Sequence, residues 1–297
     1  MVRDNSLSSK VLDVFVYTVM IVTLVVTLYP VLHVIASSFS GRIANETGQV
    51  TIFPVDFTVE PYQMLWQAGT VPNAFVNSVQ YTFVGVIINM LVTTTFAYAL
   101  SRKHLPLRGF YTMVAIIPMY FSGGLVPTFM LVTNLGLTNT MWALVLPVAM
   151  SITNFIIMRT FFQNLPAELE ESAKLDGAND FVIFTQIILP LSKAVLYTIG
   201  LFYTVTHWNS WFNAMIYLRD SNMFPLQLIL RQIVILAEDI REAAISGDFT
   251  NVAFIGGVNV IGIRFATLCV AIVPMLLIYP FVQRHFIKGV MIGSLKG

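Results

Sequence analysis

Residues 165–190 read LPAELEESAKLDGANDFVIFTQIILP, and this stretch decides how the chain is organised. It sits between two long apolar runs, yet Glu168, Glu170, Glu171, Asp176 and Asp180 are set against a single base, Lys174. Charge alone would make it a solvated loop. Its spacing argues for more. Pro166 suits a first helical turn, where a missing N–H costs nothing, and the glutamates then stand near the positive end of the helix dipole. Leu165, Leu169, Ala173 and then Asp176 or Gly177 recur at three- and four-residue intervals, which gives one narrow face. Gly177 closes that face, either as a helix stop or as a point where another backbone comes close. The chain then turns apolar through Phe181, Val182 and Phe184 and reaches Ile187, Leu189 and Pro190. The spacing therefore predicts a short helix lying across a membrane mouth, with acidic groups presented to a partner.

The membrane itself is read from composition. Of 297 residues, 57% are hydrophobic and 10% charged, and the mean hydropathy is +0.78. Soluble domains carry about a quarter charged residues, so the chain is an integral membrane protein. Lipid offers the backbone no hydrogen-bond partner, so apolar runs of about 20 residues must be helices. The predicted fold is all-α with six transmembrane helices, at residues 11–39, 75–100, 110–132, 141–162, 191–218 and 265–286. External loops are expected at 40–74 and 219–264, and the acidic helix, residues 165–178, falls between the fourth and fifth spans.

Several details refine that outline. The first apolar run exceeds the roughly 7–15 residues of a signal-peptide core, so it reads as an uncleaved helix. His33, near its outer end, reads as structural. Asn77 and Asn89 in the second span suit helix–helix hydrogen bonds. The third span is interrupted by Pro118, Ser122-Gly123-Gly124 and Pro127, a break that must pack inside protein or line a wet cavity. Pro147 is expected to kink the fourth. Cys269, the single cysteine, excludes an internal disulfide and reads as a small core or lipid-facing residue. Placing both termini in the cytosol puts 11 of the 16 Lys and Arg residues on that side, a bias that favours this orientation and turns the acidic helix to the cytosol.

Reactive chemistry is missing from the sequence. No G-x-x-x-x-G-K-[ST] loop, H-E-x-x-H or C-x-x-C occurs, so the chain is expected to be no enzyme, to hold no metal and to bind no nucleotide. A net charge of +1 gives no footing for nucleic acid. The informative polar patch lies in the fifth span, where His207, Trp208, Asn209, Trp211, Phe212 and Asn213 follow one another closely. On a helix, Trp208 would pair with Trp211 or Phe212 and Asn209 would stand over Asn213. Aromatic faces beside amides suit a sugar pathway, since rings stack on C–H faces while amides bond hydroxyls; an interfacial aromatic belt with helix-pairing amides is the other reading.

The acidic stretch also resembles a known family. Glu171-Ser172-Ala173, Gly177 and then Ile187-x-Leu189-Pro190 stand in the order and spacing of the EAA signature of ATP-binding-cassette importer permeases. Ser172 departs from the usual alanine, but serine is small enough to keep a close contact. Leu165-Pro166 and Asp176-Gly177-Ala178 resemble the carbohydrate-importer branch, as does Trp208-Asn209. The end of the chain, Ser294-Leu295-Lys296-Gly297, resembles the maltose-type second permease, whose tail enters the ATPase dimer. The resemblance implies a bacterial cytoplasmic (inner) membrane protein that works with a second homologous permease, two ATPase subunits carrying ATP and Mg, and an extracytoplasmic solute-binding protein. It implies further that Glu168, Glu171, Ser172, Ala173, Asp176, Gly177 and Ala178 form the coupling helix that docks on an ATPase. Glu171 is the expected charge-assisted contact. The lineage leans to oligosaccharides or polysaccharide fragments, alginate-type uronate oligomers among them. A stand-alone secondary transporter or channel is the competing class, but no Asp or Glu lies mid-membrane to serve as an ion relay.

Overall fold

Apolar runs that cannot bond to lipid coil on themselves. The computed structural model describes residues 7–67, 69–121, 123–246 and 259–294, and contains no strand among them. In order, the chain forms α1 (Leu7–Ser38), the short α2 (Arg42–Glu46) and α3 (Glu60–Gln67), and then α4 (Thr70–Ser101). Next come α5 (Arg108–Tyr120), α6 (Leu125–Asn134), α7 (Trp142–Val145) with a 3₁₀ turn over Leu146–Val148, and α8 (Ile152–Gln163). The acidic stretch supplies α9 (Glu168–Leu175), α10 (Asp180–Val182), a π-helical turn over Ile183–Ile188 and α11 (Leu189–Leu191). The chain continues through α12 (Lys193–Trp208), α13 (Phe212–Tyr217), α14 (Leu226–Ser246) and α15 (Val260–Ser294).

Three helical stretches are long and apolar enough to cross a bilayer unbroken: Ser9–Ser38, Thr70–Ser101 and Val260–Ile278. Three more are bent pairs, so the described residues hold three candidate spans, or up to six if each pair crosses as one. α5 and α6 meet at 117°, with Pro118 inside α5 and Gly124 ahead of α6. α7 and its 3₁₀ turn meet α8 at 50°, and Pro147 lies in that turn, as its missing N–H requires. The run Asp180–Leu191 meets α12 at 82°, one residue after Leu191 and two after Pro190.

The expected boundaries change in several places. The fifth span does not run unbroken through residues 191–218, because α12 stops at Trp208 and α13 starts at Phe212. The expected external loop 219–264 contains α14 and the start of α15, and the expected loop 40–74 contains α2 and α3. Leu226, Ile229, Ile233 and Leu236 do recur at helical spacing, but the charges that follow them disguise the pattern.

The chain divides into two compact units, each with its own packing. In the first, Met1–Pro72 with Leu230–Ile272, the apolar side chains of α1 from Val11 to Leu28 are exposed among the described residues. Packing begins at its C-terminal end. Asn259 accepts from Gly262 N at 2.8 Å, capping the start of α15, and donates to the Ser40 carbonyl at 3.0 Å. Tyr62 donates to Ser38 Oγ at 2.9 Å, and burial pushes the Tyr62 hydroxyl up to about 12. His33 is structural, its Nδ1 lying 3.0 Å from the Thr51 carbonyl and its ring against Tyr29 and Phe265. Cys269 is half-buried with Sγ 3.6 Å from Ser38 Oγ.

The second unit, Asn73–Ile229 with Val273–Gly297, holds the main core. Phe155, Met158 and Phe162 of α8 pack with Ala97 and Leu100 of α4 and with Ile199 and Tyr203 of α12. Its polar groups serve the breaks in the spans. Asn89 donates to the Val148 carbonyl at 3.0 Å, where the Pro147 turn interrupts the helix ladder, and Asn77 donates to the Asn222 carbonyl at 2.7 Å. Both amides therefore bond irregular backbone rather than another helix, because freed carbonyls are the costly groups in lipid. The Tyr203 hydroxyl accepts from Ser151 N at 3.0 Å and lies 2.6 Å from Thr93 Oγ1. Tyr203→Phe strands that half-buried N–H, so it is expected to destabilise the chain by about 1 kcal/mol, read from thermal unfolding in detergent. An unchanged melting temperature would show that the Ser151 amide has another partner.

Candidate functional site

The acidic helix forms where the sequence places it, between the fourth and fifth apolar runs, but it is shorter than residues 165–178. Pro166 precedes it instead of entering its first turn, and Ala167 is the N-cap. Glu168, Glu170 and Glu171 occupy the first turn, where the free N–H groups and the dipole favour negative charge. Ala173 is its one buried residue, packed into the core beside Tyr98, Phe162 and Ile183. Leu165 is half-buried against the same core, whereas Leu169 is exposed.

Gly177 resolves the choice left by the sequence. Its φ is +81°, and a Cβ built there would meet nothing within 4 Å, so within this chain it is a left-handed helix stop and no other described backbone packs against it. Gly177 N donates to the Lys174 carbonyl at 3.1 Å and Ala178 N to the Ala173 carbonyl at 2.9 Å, the paired bonds of a Schellman ending. Asn179 then caps α10, its side chain accepting from Val182 N at 2.9 Å. Gly177→Ala is expected to strain this ending by about 1–2 kcal/mol and to speed exchange of the Ala178 amide about tenfold. Unchanged exchange would mean that the left-handed turn survives a side chain.

The outward face of α9 is formed by Glu168, Glu171, Ser172 and Leu175, with Asp176 and Gly177 beyond it, all exposed; Leu175 keeps 89% of its surface. An exposed leucine among carboxylates is ill suited to a lipid contact, where charge is costly. Two groups turn inward. Ala173 meets the core, and Glu170, three residues before it, pairs with Arg102. Sequence reading passed over that pair, although the three-residue offset from Ala173 already places Glu170 on the inner face. Asp180, exposed, lies 3.6 Å from Lys174 Nζ and 3.8 Å from His104 Nε2.

The aromatic–amide patch is divided by the end of α12. His207 and Trp208 close that helix and are buried, Trp208 edge-on to Phe75 at 5.8 Å. The His207 ring lies so close to α4 that a Cβ on Gly85 would come within 2.5 Å of it, and His207 Nε2 makes no hydrogen bond among the described residues. Asn209 and Phe212 are exposed, and Trp211 and Asn213 half-buried. Because the helix breaks between Trp208 and Phe212, Asn209 and Asn213 do not stack on one helix face as the spacing predicts. Trp211 meets Phe212 edge-on at 5.5 Å instead. Ser294 ends α15, and Leu295, Lys296 and Gly297 lie outside the described residues. No cluster of three or more His, Cys, Asp or Glu suited to a metal occurs among the described residues.

Residues 97–292 match the family described as binding-protein-dependent transport system inner membrane component. The polygalacturonan/rhamnogalacturonan transport system permease protein YtcP of Bacillus subtilis (strain 168) is 38% identical over 291 residues, covering 98% of this chain and 100% of the relative. Protein LplC of the same organism is 41% identical over 276 residues, covering 92% and 90% respectively. Among solved structures, a bacterial ABC transporter involved in the import of the acidic polysaccharide alginate matches with a TM-score of 0.86 at 27% identity, over 96% of this chain and 99% of that one.

Proposed function

The chain belongs to the family of binding-protein-dependent transport system inner membrane components, multi-pass permeases of ABC importers, and on that premise we propose that it forms half of the translocation pathway for an acidic oligosaccharide. In this reading the six apolar runs cross the membrane, both termini are cytosolic, and α9 is the coupling helix. Glu168, Glu171, Ser172, Asp176 and Gly177 meet a cleft in one ATPase subunit, with Ala173 and Ala178 seating the helix on its own bundle. The tail, Ser294 to Gly297, reaches the ATPase pair. ATP and Mg stay in those subunits.

One observation carries the reading: α9 is anchored by its inner face, Ala173 and Glu170, while Glu168, Glu171 and Leu175 are turned outward with no partner surface among the described residues. The broken third span supports a second permease. Met119, Tyr120, Phe121, Leu125 and Val126 around the break are exposed in the isolated chain, and irregular backbone at membrane depth needs protein or a wet cavity over it. The substrate class follows the relatives. The transporters named for polygalacturonan/rhamnogalacturonan and for alginate share uronate-bearing polymers, so uronate oligomers are the expected cargo.

The test is reconstitution of the chain with a second permease, the ATPase pair and the solute-binding protein in liposomes. Oligogalacturonides should accumulate only with ATP inside the ATPase compartment. Accumulation with the ATPase subunits left out would overturn the importer reading, and preference for neutral oligosaccharides would overturn the uronate reading alone.

A further inference from the structure

We propose that Arg102 is a positioning residue for energy coupling: it fastens the coupling helix α9 to the ends of α4 and α8, so that displacing α9 carries those helices with it. The proposal rests on the importer reading above.

The geometry starts from chain order. α4 ends at Ser101, and Arg102 is the next residue. Its Nε donates to Ser101 Oγ at 2.8 Å, its Nη2 donates to the Phe162 carbonyl at 3.1 Å, and its Nη1 pairs with Glu170. The guanidinium carbon lies 4.8 Å from the centre of the Tyr98 ring. One planar cation therefore touches α4, α8 and α9 together. Phe162 lies in the last turn of α8, where the carbonyls have no partner within the helix and the dipole is negative, so a cation there is favoured twice over.

Two facts separate this pair from the usual surface ion pair, whose worth is small. The Arg102 and Glu170 side chains keep only 13% and 14% of their exposure, and burial draws the Arg102 guanidinium below its ordinary value while leaving it a cation. The second fact is how little else holds α9. An eight-residue helix is marginal by itself, and Ala173 is the only apolar side chain of α9 that is buried. Asp180 is the other carboxylate near this cation; it is exposed, with Lys174 and His104 beside it. Lysine cannot replace the clamp, since a point charge cannot serve Glu170, the Phe162 carbonyl and the Tyr98 face together.

Arg102→Lys and Glu170→Gln, each in the complete transporter with both permeases and both ATPases, test this. The readouts are deuterium exchange of the α9 amides and solute moved per ATP hydrolysed in proteoliposomes. Both variants are expected to assemble, to exchange roughly tenfold faster over residues 168–175, and to move roughly tenfold less solute per ATP while hydrolysis continues. Wild-type exchange, or faster exchange with an unchanged transport ratio, would overturn the proposal. Should either variant fail to assemble, Tyr98→Leu removes the ring but keeps the ion pair; it is expected to shift both readouts part way, and wild-type values for it would overturn the proposal equally. If the unaltered complex moves no solute with ATP, the importer reading fails, and exchange over α9 still decides whether Arg102 holds it.

Discussion

Glu171→Lys is expected to leave the chain inserted and folded while cutting ATP-driven uptake by about two orders of magnitude. Folding survives because Glu171 is exposed and joins no ion pair among the described residues, and surface changes of that kind usually move stability by less than about 0.5 kcal/mol. Uptake suffers because reversing a charge at a docked, desolvated contact costs roughly 2–5 kcal/mol, and every ~1.4 kcal/mol is a factor of ten. Co-purification of the ATPase should fall in parallel. A variant that retains its ATPase and transports normally would remove α9 from the coupling path. Glu168→Lys, one helical turn earlier on the same exposed face, should act in the same direction with a smaller effect.

The second large effect separates two roles within the aromatic–amide patch. Trp208→Ala empties a site where the indole is 3% exposed and edge-on to Phe75, and is expected to destabilise the chain by about 3–5 kcal/mol in thermal unfolding. Phe212→Ala and Asn209→Ala remove exposed groups and should stay within about 1 kcal/mol of the parent, yet raise the apparent KM for solute if this surface lines the pathway. A Trp208→Ala protein that melts normally would show the indole to be no part of the core. Unaltered KM in both the Phe212 and Asn209 variants would take the patch out of the pathway.

What the sequence made visible was set by local rules. Apolar runs long enough to span, a proline that must break its helix, and a glycine followed by an apolar residue at the end of an acidic helix all act over one or two turns. The Pro147 bend and the Gly177 stop were therefore legible. Glu170 was half legible, since its offset from Ala173 gives the face but not the partner; Arg102 lies far back along the chain, and nothing in a single sequence ties the two. The stop at Trp208 was hidden, because the residues from His207 to Phe212 are compatible with helix and only tertiary surroundings end it there. α14 was hidden for the opposite reason: its apolar period is sound, but the acidic residues in its second half make the whole segment look like loop.

The π-helical turn over Ile183–Ile188 has a consequence for length variation. Each such turn takes up one more residue than an α turn, so the chain between α9 and α12 is one residue longer than a regular helix would require. Deleting a single residue inside 183–188 should therefore heal the ladder and keep both flanks in phase, whereas deleting one inside α12 would rotate the rest of that helix by about 100°. A shortened protein of the first kind should be the stiffer and more heat-resistant one, its slack turn replaced by regular helix as far as the 82° bend that precedes α12.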